Sequence, residues 1–499
     1  MRDKLRIGRK VSIISLVLSL ILWSSFANPV VAENQVLSPE QRHILERLSF
    51  GVTTSQIEQI EQLGTEAYLQ SQLNPQQVAE SSSLNSYVAK LDLINQEPIA
   101  LQKKISAYHQ KLRKLQLSDK QNQQINRKIF KLKNQAANQS LNAHLARAIY
   151  SNRQLQEVMV DFWFNHFNVY LKKGPIRLWI NDYENQIRFH ALGNFRDLLG
   201  VTAKHPAMLI YLDNIKNTAP NSPLGKRQKI GLNENYAREL MELHTLGIDG
   251  GYTQDDVIAL ARILTGWGVD NTGTKGDRKG FFFYNNRHDQ NDKLFLGQTI
   301  TANGIQEGEQ ALDILASHPA TARFISYKLA QYFVADQPPV SLVDQLSQEF
   351  LDSEGNILTL MNTLIHSPEF NDPQYYQQKF KTPYQYVVSL VRMGEIKQPN
   401  YLRIRGMLEQ LSMPLFQCLI PTGYKNTQEA WLNPQAMLQR TSLATAIANS
   451  KLNRNDPIQP QQLQRNFGEL SQNTKQVIGK SPHRLRSALI MGSPEAMYR

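Results

Sequence analysis

Residues 98–150 read PIALQKKISAYHQKLRKLQLSDKQNQQINRKIFKLKNQAANQSLNAHLARAIY, and their spacing decides the fold class. Ile99, Leu101, Ile105, Tyr108, Leu112 and Leu115 recur mostly every three or four residues. Ile125, Ile129, Leu132, Leu141, Leu145 and Ile149 repeat the pattern. Such spacing lays an apolar stripe along one side of an α-helix. Between the stripes, Ser118-Asp119-Lys120-Gln121 has the form of a capping box. In that motif the serine hydroxyl accepts from the Gln121 amide and the Gln121 side chain reaches back. Two amphipathic helices around a capped turn predict a long antiparallel hairpin and a mainly α, multi-helical protein. The segment 101–140 also holds Lys103, Lys104, Lys111, Arg113, Lys114, Lys120, Arg127, Lys128, Lys131 and Lys133 against Asp119 alone, a net +9. With the stripes turned inward, these side chains point outward.

The helical period continues on both sides. Residues 42–48 and 54–73 carry it, joined by Ser49-Phe50-Gly51, and it returns from 308 to the end. Residues 151–270 alternate helical patterns with loops. The longest loop is marked by Pro220, Pro223, Gly225 and Gly231 and holds Lys226, Arg227 and Lys229. Residues 281–284 and 294–300 read as two short strands around a polar loop, a β-hairpin. Ser367-Pro368-Glu369 and Ser493-Pro494-Glu495 each close a helical pattern, but two copies do not make a solenoid. The expected organisation is a signal peptide (1–32), an N-terminal helical segment (33–97), the basic hairpin (98–150) and a main helical body (151–499).

The N-terminus predicts export. Arg2, Lys4, Arg6, Arg9 and Lys10 precede an apolar run from Val11 to Trp23, and Val30-Val31-Ala32 places small residues for cleavage after Ala32. A 13-residue core is short for a membrane span, which needs about 20 residues. The mature chain is therefore expected in the periplasm or outside the cell. Its single cysteine, Cys418, excludes an intrachain disulfide and cysteine-held zinc or iron–sulfur. In an oxidising compartment a spare thiol is a liability unless buried. With 41% hydrophobic and 20% charged residues, the chain is not a disordered polyelectrolyte. The formal charge is +12, and +8 without the signal peptide. The +9 hairpin accounts for all of that, so the basicity is local. No nucleic-acid motif accompanies it, and no nucleic-acid partner is expected. An anionic envelope surface, such as lipid headgroups or acidic polymer, is the sharper reading. A merely solvated helix face is the plainer one.

Three constellations carry chemistry. In Asp161-Phe162-Trp163-Phe164-Asn165-His166-Phe167-Asn168, helical spacing puts Asp161, Asn165 and Asn168 on one face and His166 elsewhere, among aromatics. A lone histidine there is either a hydrogen-bonding core residue or a site member. In 233–244, Asn235, Arg238, Glu239 and Glu242 fall within one arc, beside an apolar face of Tyr236, Leu240 and Leu243. Two carboxylates three apart can share a proton, hold a cation or serve as acid and base. A Glu234–Arg238 pair on an exposed face is the alternative. In 287–293, adjacent His288 and Asp289 can orient one another, and Asp289, Asn291 and Asp292 suit a hard divalent cation. Ordinary turn chemistry accounts for the same residues. No haem, nucleotide, serine-hydrolase or Walker motif is present, so the cofactor is left open.

Taken together, these segments resemble the DUF1800 family of large exported bacterial proteins, from about His43 to the C-terminus. The matching stretches are 43–51, 162–167, 190–197, 211–214, 233–247, 264–267, the His288 loop, 318–322 and the Ser-Pro-Glu endings. The resemblance implies export, a mainly helical fold and, as a partner, a second exported protein encoded nearby. It brings no established reaction. Four positions depart from the family pattern. Phe164 stands where a His is usual, weakening a two-histidine metal site around Trp163. His244 stands for Phe, Asn291 for Gly, and Gly423-Tyr424 for Gly-Trp. Asn is the non-glycine residue best suited to positive φ, so the turn at Asn291 is expected to persist. The basic hairpin is longer than usual.

With the resemblance added, Asn235, Arg238, Glu239, Glu242, His166, His288 and Asp289 are expected to line one cleft. Two functions follow. The first is a binding or scaffold role in the envelope. The second is a secreted hydrolase, metal-assisted or not. There Glu239, Glu242, His288, Asp289 and His166 are catalytic, and Arg238, Asn235, Trp163 and Lys293 hold substrate. A catalytic cluster sits in a pocket with perturbed carboxylates, whereas a structural one is buried and fully paired.

Overall fold

The computed structural model of the chain describes residues 37–114, 117–270, 272–275, 280–450, 452 and 457–499. Pro98–Lys114 and Asp119–Tyr150 are helices. The Ser118 amide donates to Gln121 Oε1 at 3.0 Å and the Gln121 amide to Ser118 Oγ at 3.4 Å, which closes the capping box. Ile99, Leu101, Ile105, Ile129, Leu141, Leu145 and Ile149 are buried. Tyr108, Leu112, Ile125 and Leu132 pack half-buried beside them. Leu115 and the segment 1–32 lie outside the described residues. Nine of the ten basic side chains are exposed, and Lys133 is half-buried. The second helix has 32 residues, a length of about 48 Å. No side chain from 119 to 128 is buried, whereas its C-terminal half enters the core.

The described residues contain 25 α-helices and four three-residue strands, so the fold is mainly α. Residues 37–499 form one unit around a single large apolar core. A smaller cluster of Leu37, Leu45, Val52, Ile57, Ile60 and Tyr68 sits at its N-terminal end. No described helix is long and apolar enough to cross a membrane.

Three local expectations are corrected. Residues 54–73 form two helices, Thr54–Leu63 and Thr65–Leu73, because Gly64 takes φ +81° and its amide caps Ile60 O. The 220–231 loop contains a short helix, Pro223–Gln228, whose first turn is capped by Ser222. The single hairpin expected over 281–300 is replaced by two. Strand β1 (Trp267–Val269) pairs antiparallel with β2 (Phe281–Phe283), and β3 (Lys293–Phe295) with β4 (Gln298–Ile300). Leu296 and Gly297 both take positive φ, +47° and +76°. Such a two-residue turn folds 294–300 back on itself instead of against 281–284. Both Ser-Pro-Glu segments make the same turn: Ser367 Oγ accepts from the Phe370 amide at 3.1 Å and Ser493 Oγ from the Ala496 amide at 3.3 Å.

Candidate functional site

The Gln154–His166 helix buries Leu155, Val158, Met159, Phe162 and Trp163. Its opposite side carries Asp161 and Asn165, which with Asn168 line a cavity of about 30 Å3 together with His144, Tyr384 and Tyr424. The asparagines hold the 416–424 loop as a neighbouring strand would. Asn165 Nδ2 donates to Tyr424 O at 2.8 Å, and the Tyr424 amide donates back to Asn165 Oδ1 at 2.7 Å. Asn168 Nδ2 donates to Ile420 O at 2.8 Å. This approach is close enough to require Gly423: a Cβ there would lie 2.2 Å from Asn165 O, at φ +72°.

Asp161 accepts from the Tyr332 hydroxyl at 3.2 Å. Burial lifts its carboxyl to about 6, against the pull of nearby His144. Across the cavity His144 Nδ1 lies 3.2 Å from Glu184 Oε1. Burial opposes ionisation of Glu184, but Arg188 and His144 hold it far below the usual carboxylate range. The Tyr384 hydroxyl is buried with no hydrogen-bond partner among the described residues. A raised carboxyl, a histidine and an unspent phenol thus face one small space.

His166 lies on the other side of the same helix, among Phe162, Trp163, Phe167 and Phe324. Its Nε2 is 3.1 Å from His244 O and its Nδ1 2.9 Å from Lys328 Nζ. A carbonyl accepts only and an ammonium donates only, so the ring is neutral, with its proton on Nε2. Burial, then Lys328, drives the His166 pKa well below the usual value, and burial lowers that of Lys328 to about 8. Trp163 is wholly buried with Nε1 on Ala191 O at 3.0 Å, so it offers no face to a substrate.

On the Asn235–Glu242 helix, Tyr236, Ala237, Leu240 and Met241 are buried, as the spacing requires. Arg238 reaches Glu234 at 3.4 Å and Glu242 at 3.5 Å, and Asn235 Nδ2 donates to Leu212 O at 3.1 Å. Glu239 is half-buried, and its carboxylate accepts no hydrogen bond from a described residue. Burial, then the charge of Glu242, raises its pKa. It is the one unspent carboxylate on this face.

His288 and Asp289 do not orient one another. His288 is fully buried, with Nε2 2.9 Å from Glu307 Oε1 and Nδ1 2.8 Å from Thr265 O. Lys293, also buried, donates to Glu307 Oε2 and Asp289 O, and so is a core tie rather than a substrate contact. Burial opposes ionisation of Glu307, but hydrogen bonds from His288 and Lys293 lower its pKa. Asp289 instead accepts from Arg262 Nε at 2.9 Å and from the amide and side chain of Asn291 at 3.0 Å. Asn291 needs no positive φ, contrary to expectation, because these two bonds make the turn. Asp292 Oδ1 accepts from the Ala302 amide. No group of three or more His, Cys, Asp or Glu side chains among the described residues is arranged to hold a metal ion.

The residues expected to line one cleft fall into separate hydrogen-bonded groups. His166 meets the end of the Asn235–Glu242 helix through His244. No hydrogen bond or ion pair among the described residues joins His288 or Asp289 to His166, Glu239 or Glu242. The Gln254–Ile263 helix packs against both the Asn235–Glu242 helix and β3. The sequence spacing pointed to the Asp161 face but not to its partners. His144–Glu184 and Lys328–His166 are contacts across 40 and 162 residues, which no local pattern announces. A capping role was not expected of two histidines: His205 and His318 cap helices through Nδ1. The shared His-Pro-Ala, with Pro at the first helical position, is the signal for them.

The chain belongs to the family described as protein of unknown function, DUF1800, whose model matches residues 43–498. No curated protein and no solved structure matches it.

Proposed function

We propose that this DUF1800 chain is an exported binding protein of the bacterial envelope that docks on an anionic surface through its 98–150 hairpin. One observation carries the reading: nine basic side chains are exposed on two helices, and none forms an ion pair with a described residue. Phe130, 62% exposed, stands among Arg127, Lys128 and Lys131. An exposed aromatic flanked by cations suits the headgroup region of a lipid surface. Each basic residue near such a surface contributes about 1 kcal/mol. The variant Arg127→Gln/Lys128→Gln/Lys131→Gln is therefore expected to bind phosphatidylglycerol-containing vesicles about a hundredfold more weakly. Co-sedimentation checks this, with phosphatidylcholine vesicles as control. Equal binding by the variant and the parent rejects the docking.

Export has its own test. N-terminal sequencing of the chain recovered from the periplasmic or culture fraction is expected to begin at Glu33. A chain beginning at Met1 and confined to the cytosol rejects it. The second exported protein encoded beside family members is the partner to seek by co-purification with the mature chain.

Unpartnered Glu239, with its raised carboxyl, favours a second reading, a secreted hydrolase. Glu239→Gln is then expected to abolish hydrolysis of isolated envelope polymer while leaving the unfolding temperature unchanged. Turnover equal to the parent's removes Glu239 from that role.

A further inference from the structure

We propose that the cleft between the Thr54–Leu63 helix, the Ser82–Ala89 helix, the end of the Asp119–Tyr150 helix and the 391–401 segment binds an uncharged oligosaccharide. The cleft has a volume of about 1120 Å3, the size class of a ligand site. None of Arg127, Lys128, Phe130 and Lys131 lines it, so the proposal is independent of the docking described above.

Tyr87, Tyr150 and Tyr401 line the cleft, each half-buried. The Tyr87 and Tyr401 rings are 5.4 Å apart and inclined at 48°. The Tyr150 hydroxyl donates to Ile396 O at 2.7 Å, which fixes that ring in place. Between them stand hydroxyls and amides, among them Gln59, Ser83, Ser86 and Asn152.

The principal charges of the wall are spent. Arg392 donates to Gly51 O at 2.9 Å, to Gln56 Oε1 at 2.8 Å and to Ile149 O. Glu395 accepts from the Thr54 amide at 2.8 Å, and Glu58 pairs with Arg465 at 3.4 Å. Lys90 and Lys397 also line the cleft, each of them exposed. Beside these two lysines, what meets a ligand is phenol and aliphatic faces with neutral hydrogen-bonding groups.

A sugar ring matches that inventory. Its faces carry C–H bonds that pack on an aromatic plane, and its edge carries hydroxyls that need donors and acceptors. An acyl chain would leave the hydroxyls and amides desolvated without partners. A peptide that adds as a strand needs a sheet edge, and no described strand borders the cleft. A phosphate or uronate is best held by a bidentate guanidinium, and the arginine of this wall, Arg392, is already spent.

The experiment is isothermal titration of the mature chain with maltohexaose, cellohexaose and chitohexaose, and with hexagalacturonate as the anionic counterpart. At least one neutral hexasaccharide is expected to bind more tightly than about 1 mM. Tyr87→Ala and Tyr401→Ala are each expected to weaken it about tenfold, and Tyr401→Phe to leave it within about twofold. Thermal unfolding identifies any variant that fails to fold, in which case Ser83→Trp, an exposed substitution that fills the cleft, replaces it. The proposal is overturned if no neutral hexasaccharide binds, if only hexagalacturonate binds, or if binding survives both Tyr→Ala changes in folded protein.

Discussion

Single residues set the tolerances around the Gln154–His166 helix. Gly423→Ala places a Cβ against Asn165 O in a backbone region that L-residues avoid. Strain of that kind alone costs about 1–3 kcal/mol, so urea unfolding is expected to show a loss of at least about 2 kcal/mol. An unchanged midpoint would mean that the 416–424 loop yields freely. Asp161 gives a pH dependence of defined sign. Its folded carboxyl sits at about 6, against about 3.9 in an unfolded chain. The folded protein holds the extra proton between those values. Its contribution is therefore fully present below about pH 4 and is lost as pH rises through 6. Asp161→Asn is expected to flatten the stability profile over that window, and a profile unchanged by the substitution refutes the assignment. Glu307 acts in the opposite sense, because its pKa is lowered. It stabilises above about pH 4.3 and loses that contribution as pH falls further.

At the scale of elements, His288, Lys293 and Glu307 clip the 285–293 loop between Thr265 and the Ile305–Ala316 helix. All three are buried, and one carboxylate serves both basic groups. Removing one partner of such a group strands the others, at a cost of about 3–5 kcal/mol. Glu307→Gln is expected to lower stability by that order without altering the hairpin's vesicle binding, as calorimetry and co-sedimentation check. A change under about 1 kcal/mol would mean that the loop is held elsewhere. The elements themselves differed in how far sequence reached. The long hairpin was legible because stripe, cap and turn are local and agree. Asp161, Asn165 and Asn168 were placed on one face by the same period. The strands were not paired correctly, because three-residue strands carry almost no periodicity. Their partners were chosen by Leu296-Gly297, a turn inside one of the two segments, and by Trp267, which lies outside both. The His288 loop misled for a related reason. Adjacent polar residues suggest mutual orientation, but adjacent side chains in extended backbone point apart, and each found a distant partner.

Across the whole molecule, one helix connects the two proposed surfaces. Asp119–Tyr150 carries Arg127, Lys128 and Lys131 near its start and Tyr150 at its end. From Lys128 to Tyr150 it runs about 33 Å, three to four times the screening length of about 8–10 Å at physiological salt. The basic end therefore contributes almost no field in the cleft, consistent with a neutral ligand there. Sites this far apart with no shared side chains are expected to act additively. Arg127→Gln/Lys128→Gln/Lys131→Gln should lose vesicle binding and keep its hexasaccharide affinity. Tyr87→Ala/Tyr401→Ala should do the reverse. Vesicle-bound protein should titrate with hexasaccharide at the same affinity as free protein, since coupling between sites must be reciprocal and none is expected. A shift in either direction would mean that the helix moves as a lever between the surface and the cleft. The rest of the fold argues against that, because its C-terminal half, from Ala136 to Ile149, is locked into the single core. Its first ten residues have no buried side chain to transmit a displacement.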